Sequence, residues 1–204
     1  MKEEQDYIRD LAEIRSMMER SSKFLSLSGL AGVLAGIYAL TGVYIAYSVF
    51  NFNPNQVING SSDSSSLSVV LFIAMAVLLL AIGTAIFLSR KKAQKRNKKV
   101  WNAPSKRMIA TMAVPLSAGG IFILLLLSKG LIGLIAPSTL LFYGLALYSA
   151  SQFTFGDLKF LGVIQMGLGL MGTWFVEYGL LLWALGFGVI HIIYGIYMHL
   201  KYER

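Results

Sequence analysis

Six apolar stretches, each long enough to cross a lipid bilayer, occupy most of this 204-residue chain. A hydrocarbon core about 30 Å thick takes roughly 20 apolar residues per helical crossing, and the stretches lie at residues 24–50, 67–89, 108–128, 130–152, 158–176 and 179–200. No water is present at that depth to hydrogen-bond a bare backbone, so each stretch must satisfy its own amides, and a helix does so within one segment. The expected fold is all-α: a polytopic integral membrane protein whose six transmembrane helices fill residues 24–200. Charged residues make up only 14% of the chain, against roughly 25% in soluble domains, which leaves nothing to build a water-soluble domain beside the bundle.

Charge in the short connections sets the orientation, because Lys and Arg resist translocation. Residues 51–66 carry no cation, whereas residues 90–107 hold Arg90, Lys91, Lys92, Lys95, Arg96, Lys98, Lys99, Lys106 and Arg107, and the tail at 201–204 adds Lys201 and Arg204. Both termini and the basic loop at 90–107 are therefore expected on the cytoplasmic side, with Trp101 and Trp174 at opposite interfaces. The first stretch is too long, and too acidic in its flank, for a cleaved signal peptide. Brief outer loops point to a bacterial cytoplasmic membrane.

Only Ser128, Lys129 and Gly130 separate the third and fourth stretches, and only Glu177 and Tyr178 the fifth and sixth. Such short connections force antiparallel neighbours, so the six helices read as three hairpins. The second helix of each carries a glycine in a similar setting, IGTAIFLS around Gly83, FYGLALYS around Gly144 and IYGIYMHL around Gly195. That pattern raises a parallel threefold repeat as an expectation.

Residues 1–23 contain no Gly or Pro, and Tyr7, Leu11, Ile14 and Met18 step by four, three and four, the spacing of one apolar seam on a helix. Continued onward, the step reaches Ser28, Gly32, Ala35, Ala39, Gly42 and Ala46, small residues that let helix backbones approach closely in lipid. A single unbroken cytoplasmic amphipathic helix running into the first span is expected. Its polar face mixes Glu3, Glu4, Asp6, Asp10, Glu13 and Glu19 with Arg9, Arg15 and Arg20, whereas helices that lie on lipid are rich in Lys and Arg there. The seam therefore suits packing on the chain's own basic loop, a protein partner or a second copy of the chain.

The cations Arg90, Lys91, Lys92, Lys95, Arg96, Lys98 and Lys99 suit anionic lipid headgroups, each worth about 1 kcal/mol near the surface. Nucleic acid is not an expected partner, since no aromatic residues are interleaved to stack bases. The chain has no cysteine, which excludes disulfides, thiolate metal sites and cysteine nucleophiles.

Polar side chains at membrane depth are costly and each is a candidate for function. They are His191 and Gln165 near the middle of their spans, Ser117 beside Pro115, and Ser138 and Thr139 beside Pro137, the two prolines being expected helix kinks. A neutral His191 bonded across helices to Gln165 or a hydroxyl is the bland reading; a substrate contact or proton relay is the sharper one. His199 is eight residues on, about 12 Å along the same helix, so the two histidines cannot share a metal. No carboxylate falls inside an apolar core. Neither a metal, a cofactor nor a catalytic constellation is expected, and an intramembrane enzyme is the least favoured class.

Two readings of function follow. One is a non-catalytic membrane-anchored interaction, scaffold or sensor module that recruits through residues 1–23. The other is a small-solute transporter or channel with a midplane polar site at Gln165 and His191. The Gly-rich segment GLAGVLAGIYALTG at 29–42 resembles small bacterial inner-membrane proteins of the acid-resistance type. That resemblance covers one helix and implies no functional residue.

Overall fold

The computed structural model describes residues 23–24, 27–50, 64–95 and 101–203. All regular structure among them is helical. In chain order α1 is Gly29–Ser48, α2 Ser64–Lys95, α3 Ala103–Ser128, α4 Ile135–Ala150, α5 Leu158–Trp174, α6 Gly179–Trp183 and α7 His191–Tyr202, with a π segment at Ala184–Ile190 joining α6 to α7 into one last helix. Short 3-10 turns, Ile132–Leu134 and Ser151–Phe153, flank α4, and a third, Val176–Tyr178, opens the last helix. Five helical stretches are long and apolar enough to cross a membrane: Gly29–Ser48, Ser68–Lys95, Ala103–Ser128, Ile132–Phe153 and Val176–Tyr202. The 17 residues of α5 rise about 25 Å, close to that length, so five to six helices meet the requirement.

Local chemistry explains several limits. The Asn102 side chain accepts from the Ser105 N–H at 2.9 Å and Ser105 Oγ accepts from the Asn102 N–H at 3.0 Å, a reciprocal cap that starts α3 five residues ahead of the expected 108. Gly130 ends α3 at a φ of +70°; its N–H bonds to the Leu127 carbonyl and the Leu131 N–H to Leu126, which satisfies carbonyls the helix end leaves open. At the other connection α2 runs on through Arg90, Lys91, Lys92 and Lys95, where cations suit the negative end of the helix dipole. Much of the expected basic loop is therefore helix; Arg96, Lys98 and Lys99 lie outside the described residues.

Three expectations need correction. The first span is not continuous with a helix before it. Phe24 and Ser28 are not helical; Phe24 instead bonds the α4–α5 connection through its N–H to the Phe153 carbonyl at 2.7 Å, and its carbonyl accepts from Thr154 Oγ1 at 2.7 Å. Those bonds pull the chain off the helix axis before α1 begins. The seam residues Tyr7, Leu11, Ile14 and Met18 lie outside the described residues.

The second correction concerns the repeat. α1 packs along α2, α3 along α4, and α5 meets the last helix at Gln165 and Gly186, but the main partner of α5 is α4 and that of the last helix is α1. The reason is glycine. A Cβ on Gly144 would sit 2.7 Å from the Gly162 carbonyl oxygen and one on Gly162 2.8 Å from that of Gly144, so α4 and α5 touch backbone to backbone. Likewise a Cβ on Gly195 would lie 2.6 Å from the Gly29 oxygen and one on Gly36 2.6 Å from the Gly188 oxygen. Of the predicted small face of α1, Ala39, Gly42 and Ala46 are buried while Ser28, Gly32 and Ala35 are only partly so; Gly29 and Gly36, outside that series, are buried as well. Gly83 meets nothing within 4 Å, so the three glycines of the expected repeat do not share an environment.

Third, Pro137 is not a mid-span break. It stands in the first turn of α4, where a missing N–H leaves no helix bond unmade. Pro115 does lie inside α3.

The packing divides the bundle into two tight groups, α1 with α2 and α3 with α4 and α5, and the last helix crosses between them. Its first turn, α6, lies on α4 and α5, and its second half, α7, lies on α1. At one end of the bundle Glu203 ties the first group to the last helix. Its Oε1 accepts from the Gly29 N–H at 2.7 Å and from Lys92 Nζ at 2.9 Å, and Oε2 pairs with His199 Nδ1 at 2.7 Å. Lys92 also donates to the Leu27 carbonyl. Nearby, Asp157 accepts from Lys201 Nζ at 2.8 Å and from the Tyr202 hydroxyl at 2.7 Å, tying the last helix to the second group. The start of α1, the basic end of α2 and the end of α7 therefore share one end of the bundle.

Candidate functional site

Gln165 and His191 meet. Gln165, fully buried on α5, donates from Nε2 to the Gly186 carbonyl at 2.8 Å. His191 Nδ1 lies 2.8 Å from the same oxygen. A carbonyl only accepts, so Nδ1 carries the ring proton and Nε2 is the lone-pair nitrogen, which takes the Tyr143 hydroxyl as donor at 3.1 Å. Gln165 Nε2 and His191 Nδ1, 3.2 Å apart, are then two donors sharing one acceptor and not bonded to each other. Exchanging the amide's oxygen and nitrogen would set two oxygens 2.8 Å apart at Gly186, so this orientation is the favoured one.

That arrangement leaves Gln165 Oε1 without a partner among the described residues, and the buried Tyr194 hydroxyl, one turn beyond His191, is in the same condition. An unsatisfied buried polar atom costs about 1–3 kcal/mol. Gly186 makes the close approach possible, since a Cβ there would stand 2.6 Å from Gln165 Oε1.

Around the polar group runs an aromatic column. Trp183, Phe187 and His191 follow one another on the last helix with ring centroids 5.0 and 5.6 Å apart, and Tyr143 of α4 packs 5.0 Å from Phe187 and 5.5 Å from His191. Trp183 Nε1 donates to Thr139 Oγ1 at 3.1 Å. These rings pack between α4 and the last helix.

Of the predicted polar residues, Thr139 joins the edge of this column. Ser138 is buried but bonds back to the Leu134 carbonyl of its own helix at 2.6 Å. Ser117 bonds back to Val114 at 3.0 Å on an exposed face of α3; neither serine reaches His191. Among the predicted lipid-contacting cations, Arg90, Lys91 and Lys95 lie at the basic end of α2, while Lys92 is turned inward with 12% of its side chain exposed. Sequence reasoning missed Tyr143, the Gly186 carbonyl and the Glu203 junction. The first was legible as a hydroxyl inside a span; a backbone carbonyl carries no sequence signal at all.

Electrostatics are marked at the bundle end. Burial would raise the Glu203 carboxyl, but the hydrogen bonds from Lys92, the Gly29 N–H and His199 outweigh it and hold the group down at about 2. Burial likewise works to raise Asp157, and its bonds from Lys201 and Tyr202 bring it below the usual value. No group of three or more His, Cys, Asp or Glu among the described residues is placed to hold a metal. The central cluster has a donor–acceptor chain, Tyr143 to His191 to Gly186, and among the described residues no carboxylate bonds to it.

Comparison with protein-family models, curated proteins and solved structures finds no match.

Proposed function

We propose that this chain is a six-span integral membrane protein with both termini and its basic segment on the cytoplasmic side of a bacterial membrane, acting as a non-catalytic interaction module. In this reading the bundle is the membrane anchor and residues 1–23 recruit a protein partner or a second copy. The observation that carries it is the engagement of both His191 ring nitrogens inside the protein, with Gly186 and Tyr143, which makes the midplane histidine interhelical glue. The gathering of the α1 start, the basic end of α2 and the α7 end around Glu203 supports it, since such a junction holds the emergence point of residues 1–23 in place. Arg90, Lys91 and Lys95 are assigned to anionic headgroups.

A small-solute carrier or channel is the second reading, favoured by one observation: Gln165 Oε1 is an unpaired acceptor beside a π segment, and π turns occur often at functional sites. The test separates the two. In the full chain, Leu11→Glu with Ile14→Glu is expected to abolish a photo-cross-link formed from a label at Tyr7, while the bundle stays folded. A His191→Ala, Gln165→Leu chain is expected to keep that cross-link. Loss of solute uptake in the second chain, at unchanged protein level, would overturn the interaction reading in favour of the carrier.

A further inference from the structure

The π segment Ala184–Ile190 stands where the last helix passes from one packing group to the other. Gly186 faces the second group, against Gln165, Leu140 and Leu168, and Gly188 faces the first, against Leu40 of α1. Two residues apart on one helix, these glycines serve opposite neighbours. Beyond the segment, Gly195 lies on Gly29 and Val33 of α1, and before it Gly179 lies near Pro137 of α4. The Gly195 contact is backbone to backbone and the Gly179 contact ordinary van der Waals packing, so the two ends of the helix rest on different neighbours.

A π segment carries one residue more than an α-helix of the same rise. If Ala184–Ile190 became α-helical with its sequence unchanged, α7 would turn by about 100° and advance about 1.5 Å relative to α6. Within the π segment the Gly186 carbonyl receives two side-chain donors, from Gln165 of the second group and from His191 of the last helix.

We propose that Gln165 and His191 form a register lock: by holding the Gly186 carbonyl they keep the last helix in its π form, and releasing that carbonyl lets α7, with α1 and α2 packed on it, turn relative to α3–α5. The turn would carry Lys201 and Tyr202 away from Asp157, so an event at the bundle centre reaches the end where residues 1–23 emerge. The device stands whether the protein scaffolds or carries.

The chain has no cysteine, so introduced pairs accept spin labels without background. One pair spans the joint, at exposed Leu145 of α4 and exposed Leu200 of α7; a control pair, Leu145 with exposed Val163 of α5, stays within the second group. In the full chain in lipid, Gln165→Leu with His191→Leu is expected to move the first distance by up to about 8 Å, the chord of that turn at a helix radius near 5 Å, and to leave the control unchanged. His191→Asn alone is expected to keep the native distance, because the asparagine amide donates from the place of Nδ1. Both distances unchanged in the double variant would overturn the proposal. If the double variant fails to fold, deleting Leu185 as well removes the extra residue and is expected to restore both native distances; failure to restore them would overturn it equally.

Discussion

Glu203 shows how much one side chain can organise when it reaches a helix end. Its carboxylate supplies the N–H of Gly29 with the acceptor that Ser28, whose side chain makes no capping bond, does not. A helix start of this kind is worth about 1 kcal/mol. Because the folded group is held at about 2, below its ordinary 4.5, its contribution is fully present above the ordinary value and disappears as pH falls towards the folded one. Glu203→Gln is therefore expected to lower the thermal midpoint in detergent by a constant amount above pH 5, with the two curves converging between pH 4 and 2. A gap that persists unchanged at pH 2 would assign the effect to side-chain packing.

Among the helices, close contact is decided by a few glycines, and their unequal surroundings make the point testable. Gly144→Ala places a methyl 2.7 Å from the Gly162 oxygen and the Met166 nitrogen, both backbone atoms, and overpacking of that kind costs about 1–3 kcal/mol. Gly83→Ala meets nothing within 4 Å and should be neutral or stabilise α2 by up to about 1 kcal/mol through helix propensity. Unfolding in mixed micelles measures both, and equal effects would refute the packing assigned to α4 and α5. Gly83, Gly144 and Gly195 look alike in sequence because glycine spacing records where a close approach is permitted; it does not record whether a neighbour arrives. The same limit applies to the serines: Ser138 and Ser117 read as midplane polarity, yet each satisfies itself on its own helix turn.

For the molecule as a whole, the gathering of the α1 start, the α2 end and the α7 end at one extremity predicts the topology. A cytoplasmic reporter fused at Arg204 and one placed after Lys99 are expected to be active together, and a reporter active outside the membrane is expected to work at Asn59. Activity of the Arg204 and Lys99 fusions on opposite faces would break the six-span account.

Hydropathy and length by themselves determined that the apolar segments are helical, with limits the structure moves by up to six residues, because a stretch long enough for a bilayer crossing has to pair its own backbone. Spacing alone also picked out Ala39, Gly42 and Ala46 on the packed side of α1 but not Gly29 or Gly36, and position within the apolar segments singled out Gln165 and His191. Which helices became partners was decided only in three dimensions: α5 turned to α4 and the last helix to α1, since backbone contact depends on two glycine faces meeting and hydropathy is blind to that pairing. The π segment, the Gly186 carbonyl shared by two donors and the carboxylate of Glu203 at the start of α1 belong to the tertiary structure for the same reason. Each is an agreement between residues distant in sequence, and no local pattern encodes it.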